Sequence, residues 1–190
     1  MSTTSDHVDA RPIEHGLSLR QAVESVLLTT TKPMSAAKLV EPLRDAGFET
    51  DRKAIEGAIE ELNAAYEQAG SVARVESVAG GFRLMTLPSA GAILAAVHGA
   101  RSSSRLSRAA LETLSIVAYR QPITRAEIES IRGVASGEVL RSLLERRMIT
   151  VTGRAEELGR PMLYGTTSAF LEQFGLAKIG DLPAMEGAGA

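Results

Sequence analysis

The sequence has no cysteine and no tryptophan, and only 4% of its 190 residues are aromatic. Without cysteine the chain forms no disulfide, thiolate metal site or cysteine nucleophile, which fits a reducing compartment. Long apolar runs are missing too: the longest spans 92–97, far below the ~20 residues of a membrane helix. The polar opening, residues 1–16, lacks the apolar core of a secretory signal. We therefore expect a cytoplasmic protein without a membrane contact.

Neither sign of charge is in clear excess, with 21 Lys and Arg against 23 Asp and Glu and a formal net charge of -2. Proteins that bind phosphate backbones usually show a strong basic excess. The charge is nevertheless uneven, because residues 17–87 carry 8 basic and 10 acidic groups while 101–160 carry 11 arginines and 7 glutamates. Between these halves, the small and polar stretch 99–105 predicts a linker.

In the first half, the apolar spacing predicts three helices followed by a β-hairpin. Helix boundaries are given by residues that cap or break helices. The predicted caps are Ser18, Ser35 and Asp51, and the predicted stops are Pro33, Gly47 and Gly70. Two strand-like runs, 72–77 and 82–87, flank Ala79-Gly80-Gly81, which is predicted to supply the positive φ angles of a tight hairpin turn.

The second half repeats this order of elements. Its three helices are predicted to start after Ser107, Thr124 and Ser136, and the first two to end before Pro122 and at Gly133. Two strands, 149–152 and 162–164, flank the polar loop 153–160, and a short amphipathic segment then ends at Gly175. Phe170 and Phe174 in this segment are predicted to be core residues.

A short sequence echo links the halves, since Pro33-Met34-Ser35 aligns with Pro122-Ile123-Thr124. Three helices and a terminal hairpin, repeated once, predict two tandem winged helix-turn-helix domains. The fold class is mainly α with small β-hairpins (α+β). The predicted divisions are a disordered tail (1–16), a first domain (17–98), a linker (99–105), a second domain (106–176) and a C-terminal tail (177–190).

The motifs of common enzyme classes are absent from the sequence. There is no phosphate-binding glycine loop of either common type and no G-x-S-x-G elbow. The three histidines, His7, His15 and His98, are scattered and do not suggest a metal site or a catalytic base. We expect no enzyme activity, cofactor or metal.

DNA binding by the third helix of each domain is the open alternative, because winged helices commonly place that helix in the major groove. In the first domain this helix carries mainly acidic side chains, which phosphates repel. They are Arg52, Lys53, Glu56, Glu60, Glu61 and Glu67. In the second domain the signs are mixed, with Glu138, Arg141, Ser142, Glu145 and Arg146. Arg101, Arg105 and Arg108 fit a charged linker. Any DNA contact is expected to be weak or indirect. The alternative function is that of a tandem winged-helix transcriptional regulator that binds DNA.

Protein contact is the remaining class of function. Tyr119-Arg120-Gln121-Pro122 ends a predicted helix and combines an amphipathic aromatic residue with a guanidinium group and a rigid turn. Arg160-Pro161 and Tyr164 stand near the second hairpin. Tyrosine and arginine near surface turns are typical interface anchors.

Residues 106–134, LSRAALETLSIVAYRQPITRAEIESIRGV, resemble the signature of the bacterial segregation and condensation protein B (ScpB) family. Further motifs follow in the family's order, including Gly159-Arg160-Pro161 and Leu163-Tyr164-Gly165. In the first half, AGGFRL at 79–84 is similar to the family's hairpin. The resemblance covers about residues 17–183, while Arg147-Met148-Ile149 and the loop 155–158 depart from the usual pattern.

This resemblance implies a non-enzymatic subunit of the bacterial SMC–kleisin condensin, which condenses and segregates chromosomes in the nucleoid. It also implies a homodimer formed through the N-terminal domain. The C-terminal domain would bind the kleisin ScpA, and through it the SMC protein. We expect the kleisin-binding residues to be Tyr119, Arg120, Gln121, Pro122, Arg160, Pro161 and Tyr164.

Overall fold

The computed structural model describes residues 16–98 and 106–184, which divide into two compact units. The first unit contains residues 16–76 and 81–88, and the second contains 77–80, 89–98 and 106–184. Each unit has its own apolar core. The predicted linker 99–105 with Arg101 and Arg105, the tail residues 1–15 with His7 and His15, and residues 185–190 lie outside the described residues.

The first unit begins with three helices that start and stop close to their predicted signals. They are α1 (Leu19–Thr29), α2 (Ala36–Asp45) and α3 (Arg52–Gln68), and the hairpin strands β1 (Ala73–Val78) and β2 (Gly81–Thr86) follow. Ser18 forms a capping box with Gln21, and the Asp51 carboxylate accepts a hydrogen bond from the Ala54 amide at 2.7 Å. Ser35 occupies the cap position of α2 without a side-chain hydrogen bond to a described amide.

The three helices pack around aliphatic side chains that recur at helical spacing. The fully buried members include Val23, Leu27, Leu39, Ile55 and Leu62. The Asn63 amide group on α3 also contacts the backbone of Val75 on β1. Its Nδ2 donates to the Val75 carbonyl at 3.0 Å, and its Oδ1 accepts from the Val75 amide at 2.8 Å. This pair of hydrogen bonds joins the hairpin to the helices.

The second unit has the same order of elements with small additions. It contains α5 (Arg108–Arg120), β3 (Ile123–Thr124), α6 (Arg125–Arg132), α7 (Gly137–Glu145), β4 (Ile149–Arg154), β5 (Met162–Thr166) and α8 (Ser168–Phe174). The strands form an antiparallel sheet in the order β3-β5-β4. Leu114, Val117, Ile128, Leu143 and Ile149 fill the core beneath it.

The sequence echo between the halves corresponds to equivalent backbone pairing. In the first unit, Met34 forms an antiparallel bridge with Phe82 on β2, with hydrogen bonds of 2.9 and 2.8 Å in the two directions. In the second unit, Ile123 pairs with Tyr164 on β5. In each unit, the residue after the echoed proline therefore pairs with the second strand of the hairpin.

Helix α4 (Gly91–His98) was not predicted from the sequence. Residues 91–97 are uncharged and lack amphipathic spacing, and all seven are exposed, with Val97 at 73%. Residues 92–97 of this helix are the longest apolar run of the sequence. None of the described helices combines the length and the apolar character needed to cross a membrane.

Candidate protein-contact surface

An apolar groove of about 200 Å³ lies between α5 and α8 in the second unit. Its lining consists of Leu111, Leu114, Ser115, Ala118, Tyr119, Phe170, Phe174 and Leu182, none of which is charged. We call this feature the α5/α8 groove.

The walls of the α5/α8 groove follow from helical spacing. On α5, Leu111, Ser115 and Tyr119 are four residues apart and therefore share one face. Helix α8 is capped by Thr167, whose hydroxyl accepts from the Phe170 amide at 3.2 Å, and it ends at Gly175 with a φ of 67°. Phe170 and Phe174 stand one turn apart, and their ring centroids are 4.8 Å from each other.

Three large side chains of this groove remain exposed to solvent. Leu111 is 44%, Tyr119 37% and Phe174 46% exposed. The prediction of a core position is therefore right for Phe170, which is 3% exposed, and wrong for Phe174. Because α8 has only two turns, the core covers its first aromatic ring and leaves the second at the edge. Adjacent exposed apolar side chains of this size mark contact sites.

Arg120, the residue after Tyr119, lines a different groove of about 340 Å³ together with Ile123, Glu127, Ser130 and Ile131. Ile131 is 55% exposed. The Glu127 carboxylate here is already engaged, since it accepts from the Thr124 amide at 2.8 Å and from the Thr124 hydroxyl at 2.7 Å. These hydrogen bonds lower the pKa of Glu127. Arg120 is thus a cationic group beside an exposed apolar side chain.

The Gln121 side chain forms hydrogen bonds within the second unit. Its Oε1 accepts from the Thr166 amide at 2.7 Å, and its Nε2 donates to the Thr166 hydroxyl at 3.0 Å. The side chain therefore holds the end of β5 against the end of α5. Pro122 follows through a cis peptide bond and is exposed.

The remaining predicted contact residues lie elsewhere in the second unit. Arg160 and Pro161 are in the loop between β4 and β5, where the Arg160 carbonyl accepts from Arg154 Nη1 at 3.0 Å. Tyr164, on the central strand β5, is 9% exposed and belongs to the core of the second unit. The interpretation of Tyr164 as a surface anchor is therefore wrong. Of the seven predicted residues, only Tyr119 lines the α5/α8 groove.

A polar network fixes the turn between α6 and α7. The Glu129 carboxylate accepts from the Ser136 amide at 2.7 Å and from Arg125 Nε at 2.7 Å, and these contacts lower its pKa. The Arg132 side chain, 6% exposed, donates to the Ser136 hydroxyl and to Glu112. Ser136 makes no side-chain cap to a described amide, in contrast to the prediction. Its hydroxyl instead accepts from Arg132 Nη1 at 3.0 Å and donates to the Val134 carbonyl at 3.3 Å.

The described residues show no arrangement suited to metal chemistry. Within 16–98 and 106–184, no group of three or more histidine, aspartate or glutamate side chains is placed to hold a metal ion.

The matching family model and the curated relatives belong to one protein family. The family model described as "Segregation and condensation complex subunit ScpB" matches residues 21–185. Segregation and condensation protein B of Brevibacillus brevis is 41% identical over 165 residues, covering 87% of this chain and 83% of that protein. Its namesake from Syntrophotalea carbinolica is 37% identical over 170 residues, covering 90% and 83%. The crystal structure of ScpB from Mycobacterium tuberculosis shares 31% identity, with 83% and 94% coverage and a TM-score of 0.37. The chain thus belongs to the ScpB family of segregation and condensation complex subunits.

Proposed function

We propose that this protein is a non-enzymatic, homodimeric subunit of an SMC–kleisin condensin that binds the kleisin ScpA. Through the kleisin it joins the SMC protein and supports chromosome condensation and segregation in the cytoplasm, at the nucleoid. The observation that carries this proposal is the α5/α8 groove, which exposes Leu111, Tyr119 and Phe174 around an uncharged lining. A groove of this kind accepts the apolar side chains of an amphipathic protein segment.

The exposed area in the groove is large enough to contribute to binding. Fully burying one Leu or Phe side chain is worth about 1.5–3 kcal/mol. Leu111 and Phe174 are nearly half exposed, so a partner that covers both would gain roughly half of that value at each side chain. A tyrosine beside them adds a rigid amphipathic anchor.

The proposal assigns different contacts to the two halves of the chain. The domain 17–98 forms the homodimer, and the domain 106–176 binds the kleisin, with 99–105 as their linker. Exposed aliphatic side chains on α1 and beside it, Leu28 at 63% and Leu17 at 44%, support a contact by the first half. The α5/α8 groove supports the contact by the second.

The alternative, a DNA-binding regulator, is less well supported by the geometry. Helix α7 carries Glu138, Arg141 and Glu145, whose mixed signs give no cationic face. The arginines near its start are engaged, Arg125 with Glu129 at 2.7 Å and Arg132 with Glu112 at 3.2 Å. Phosphate contacts need cationic groups available to the backbone. We therefore expect DNA contact to be weak or indirect.

Light scattering behind a size-exclusion column tests this function. The nuclease-treated chain is measured alone, then with the kleisin of the same organism, and then with a short DNA duplex. We expect a dimer alone, a larger defined complex with the kleisin, and little change with DNA. A chain that ignores the kleisin but shifts with the duplex would contradict the proposal and favour the DNA-binding alternative.

A further inference from the structure

The segment after α8, residues 178–183, is a short ordered strap. A single 3-10 turn, Ile179–Asp181, forms its centre. The Lys178 amide donates to the Asp181 carboxylate at 3.0 Å, and the Asp181 amide donates to the Lys178 carbonyl at 3.1 Å. The Leu182 amide closes the turn by donating to the Ile179 carbonyl at 3.3 Å. These hydrogen bonds fix the backbone conformation of the strap up to Leu182.

One long-range hydrogen bond attaches this strap to α5. The Tyr119 hydroxyl donates to the Pro183 carbonyl at 2.8 Å, across 64 positions of sequence. Next to this attachment, Leu182 is partly buried against the second core and lines the α5/α8 groove. Ile179 lies in the same turn, is 38% exposed and is not part of the lining.

We propose that the strap is the third wall of the kleisin-binding groove and that Tyr119 is a positioning residue, which holds Leu182 in place through Pro183. This inference rests on the proposed function and adds to it. The hydroxyl of Tyr119 already donates its proton to the strap, so it does not donate a hydrogen bond to the partner. The partner is an amphipathic segment whose uncharged side chains insert between α5, α8 and Leu182.

The physical reason is that a preordered wall binds more tightly than a mobile one. Ordering a loose segment on binding costs free energy, which a segment fixed beforehand does not lose. A net contribution of about 1 kcal/mol from one hydrogen bond corresponds to roughly a fivefold change in affinity. Removal of the Tyr119 hydroxyl should therefore weaken binding by about that factor, while its ring still lines the groove.

A double-mutant cycle on the full chain tests this inference by calorimetric titration with the kleisin. We expect Tyr119→Phe to weaken binding about fivefold and Leu182→Ala about tenfold. In the Leu182→Ala background, Tyr119→Phe should have little further effect, because both changes act on the same wall. Ile179→Ala, in the same turn but outside the groove, is the matched control and should leave the affinity unchanged.

Amide hydrogen exchange on the unbound chain gives a second readout, in which Tyr119→Phe should speed exchange of the Leu182 amide. If the wild-type chain binds the kleisin and both variants bind equally well, the strap is not part of the groove and this inference alone fails. Equal effects of Tyr119→Phe in both backgrounds, with unchanged exchange, would make the Tyr119 hydroxyl itself a contact of the kleisin and overturn its positioning role. A wild-type chain that does not bind the kleisin would overturn the proposed function and the inference together.

Discussion

At the scale of single residues, both units use an amide side chain to hydrogen-bond a strand to a helix. In the first unit, the Asn63 amide pairs with both backbone polar groups of Val75. In the second, the Gln121 amide binds the amide and the hydroxyl of Thr166. In both cases an amide side chain on or just after a helix satisfies polar groups of a strand, which would otherwise be costly to leave unpaired in a partly buried position.

We expect Asn63→Ala to lower the free energy of unfolding by about 1–3 kcal/mol, because it leaves the two backbone groups of Val75 without their partner. Urea denaturation followed by circular dichroism measures the change. Gln68→Ala, an exposed position at the end of the same helix, is the control and should change stability by less than about 0.5 kcal/mol. A similar loss in both variants would show that the Asn63 hydrogen bonds are not the cause.

Tyr66 should give the stability of the protein a dependence on alkaline pH. Burial and the hydrogen bond that its hydroxyl donates to Glu24, 2.7 Å long, raise the pKa of Tyr66 from 10.0 to about 12. The folded state therefore favours the neutral phenol, and this contribution is complete below pH 10.0 and is lost as the pH rises towards about 12.

We expect the difference in unfolding free energy between wild type and Tyr66→Phe to shrink across that pH range, because phenylalanine does not titrate. Urea denaturation at several pH values from about 9 upward, in half-unit steps, follows it. A difference that stays constant with pH would contradict the raised pKa of Tyr66.

At the scale of elements, the sequence predicted those helices whose ends have a residue that caps or terminates a helix. Ser18, Asp51, Ser107 and Thr124 cap helices through their side chains, and Gly133 ends α6 with a φ of 70°. Helix α4 was missed because residues 91–97 have neither polar face nor cap, so periodicity gave no signal. Strand β3 was missed because its two residues are too few for an alternating pattern.

The candidate site was harder to predict than the fold because it depends on which face of each element is covered. Tyr164 follows an arginine-proline loop, and only the packing of β5 against the helices shows that this ring is buried. Leu182 carries no local signal at all, and its place in the groove depends on the Tyr119–Pro183 hydrogen bond. Contacts over 64 positions are not encoded in local spacing.

Alanine substitution should change the stability of the protein in opposite directions at two glycines. A Cβ atom at Gly81 would lie 2.9 Å from the backbone of Met34, so Gly81→Ala should break the Met34–Phe82 bridge and destabilise the first unit. Gly57 lies within α3, where a Cβ atom would meet no neighbouring atom within 4 Å. Gly57→Ala should therefore stabilise the protein by about 0.5–1 kcal/mol. Thermal unfolding of both variants measures this, and a higher Tm for Gly81→Ala would contradict the close approach.

At the scale of the whole molecule, each of the two units has a small apolar core of its own. Each unit buries its aliphatic side chains around three helices and a hairpin. One feature exposed in the second unit is the uncharged groove between α5 and α8. The family membership and this groove support the proposal that the protein binds another protein chain.

The most direct test of this account compares two substitutions by titration calorimetry with the kleisin. Leu111 lines the α5/α8 groove and is 44% exposed, whereas Val151 lies on β4 outside the groove and is 42% exposed. A charge in the groove would lose its hydration when the partner covers it. We predict that Leu111→Glu weakens kleisin binding at least about tenfold, or about 1.4 kcal/mol, while Val151→Glu binds like wild type. Equal affinities of the two variants and the wild type would contradict the central claim.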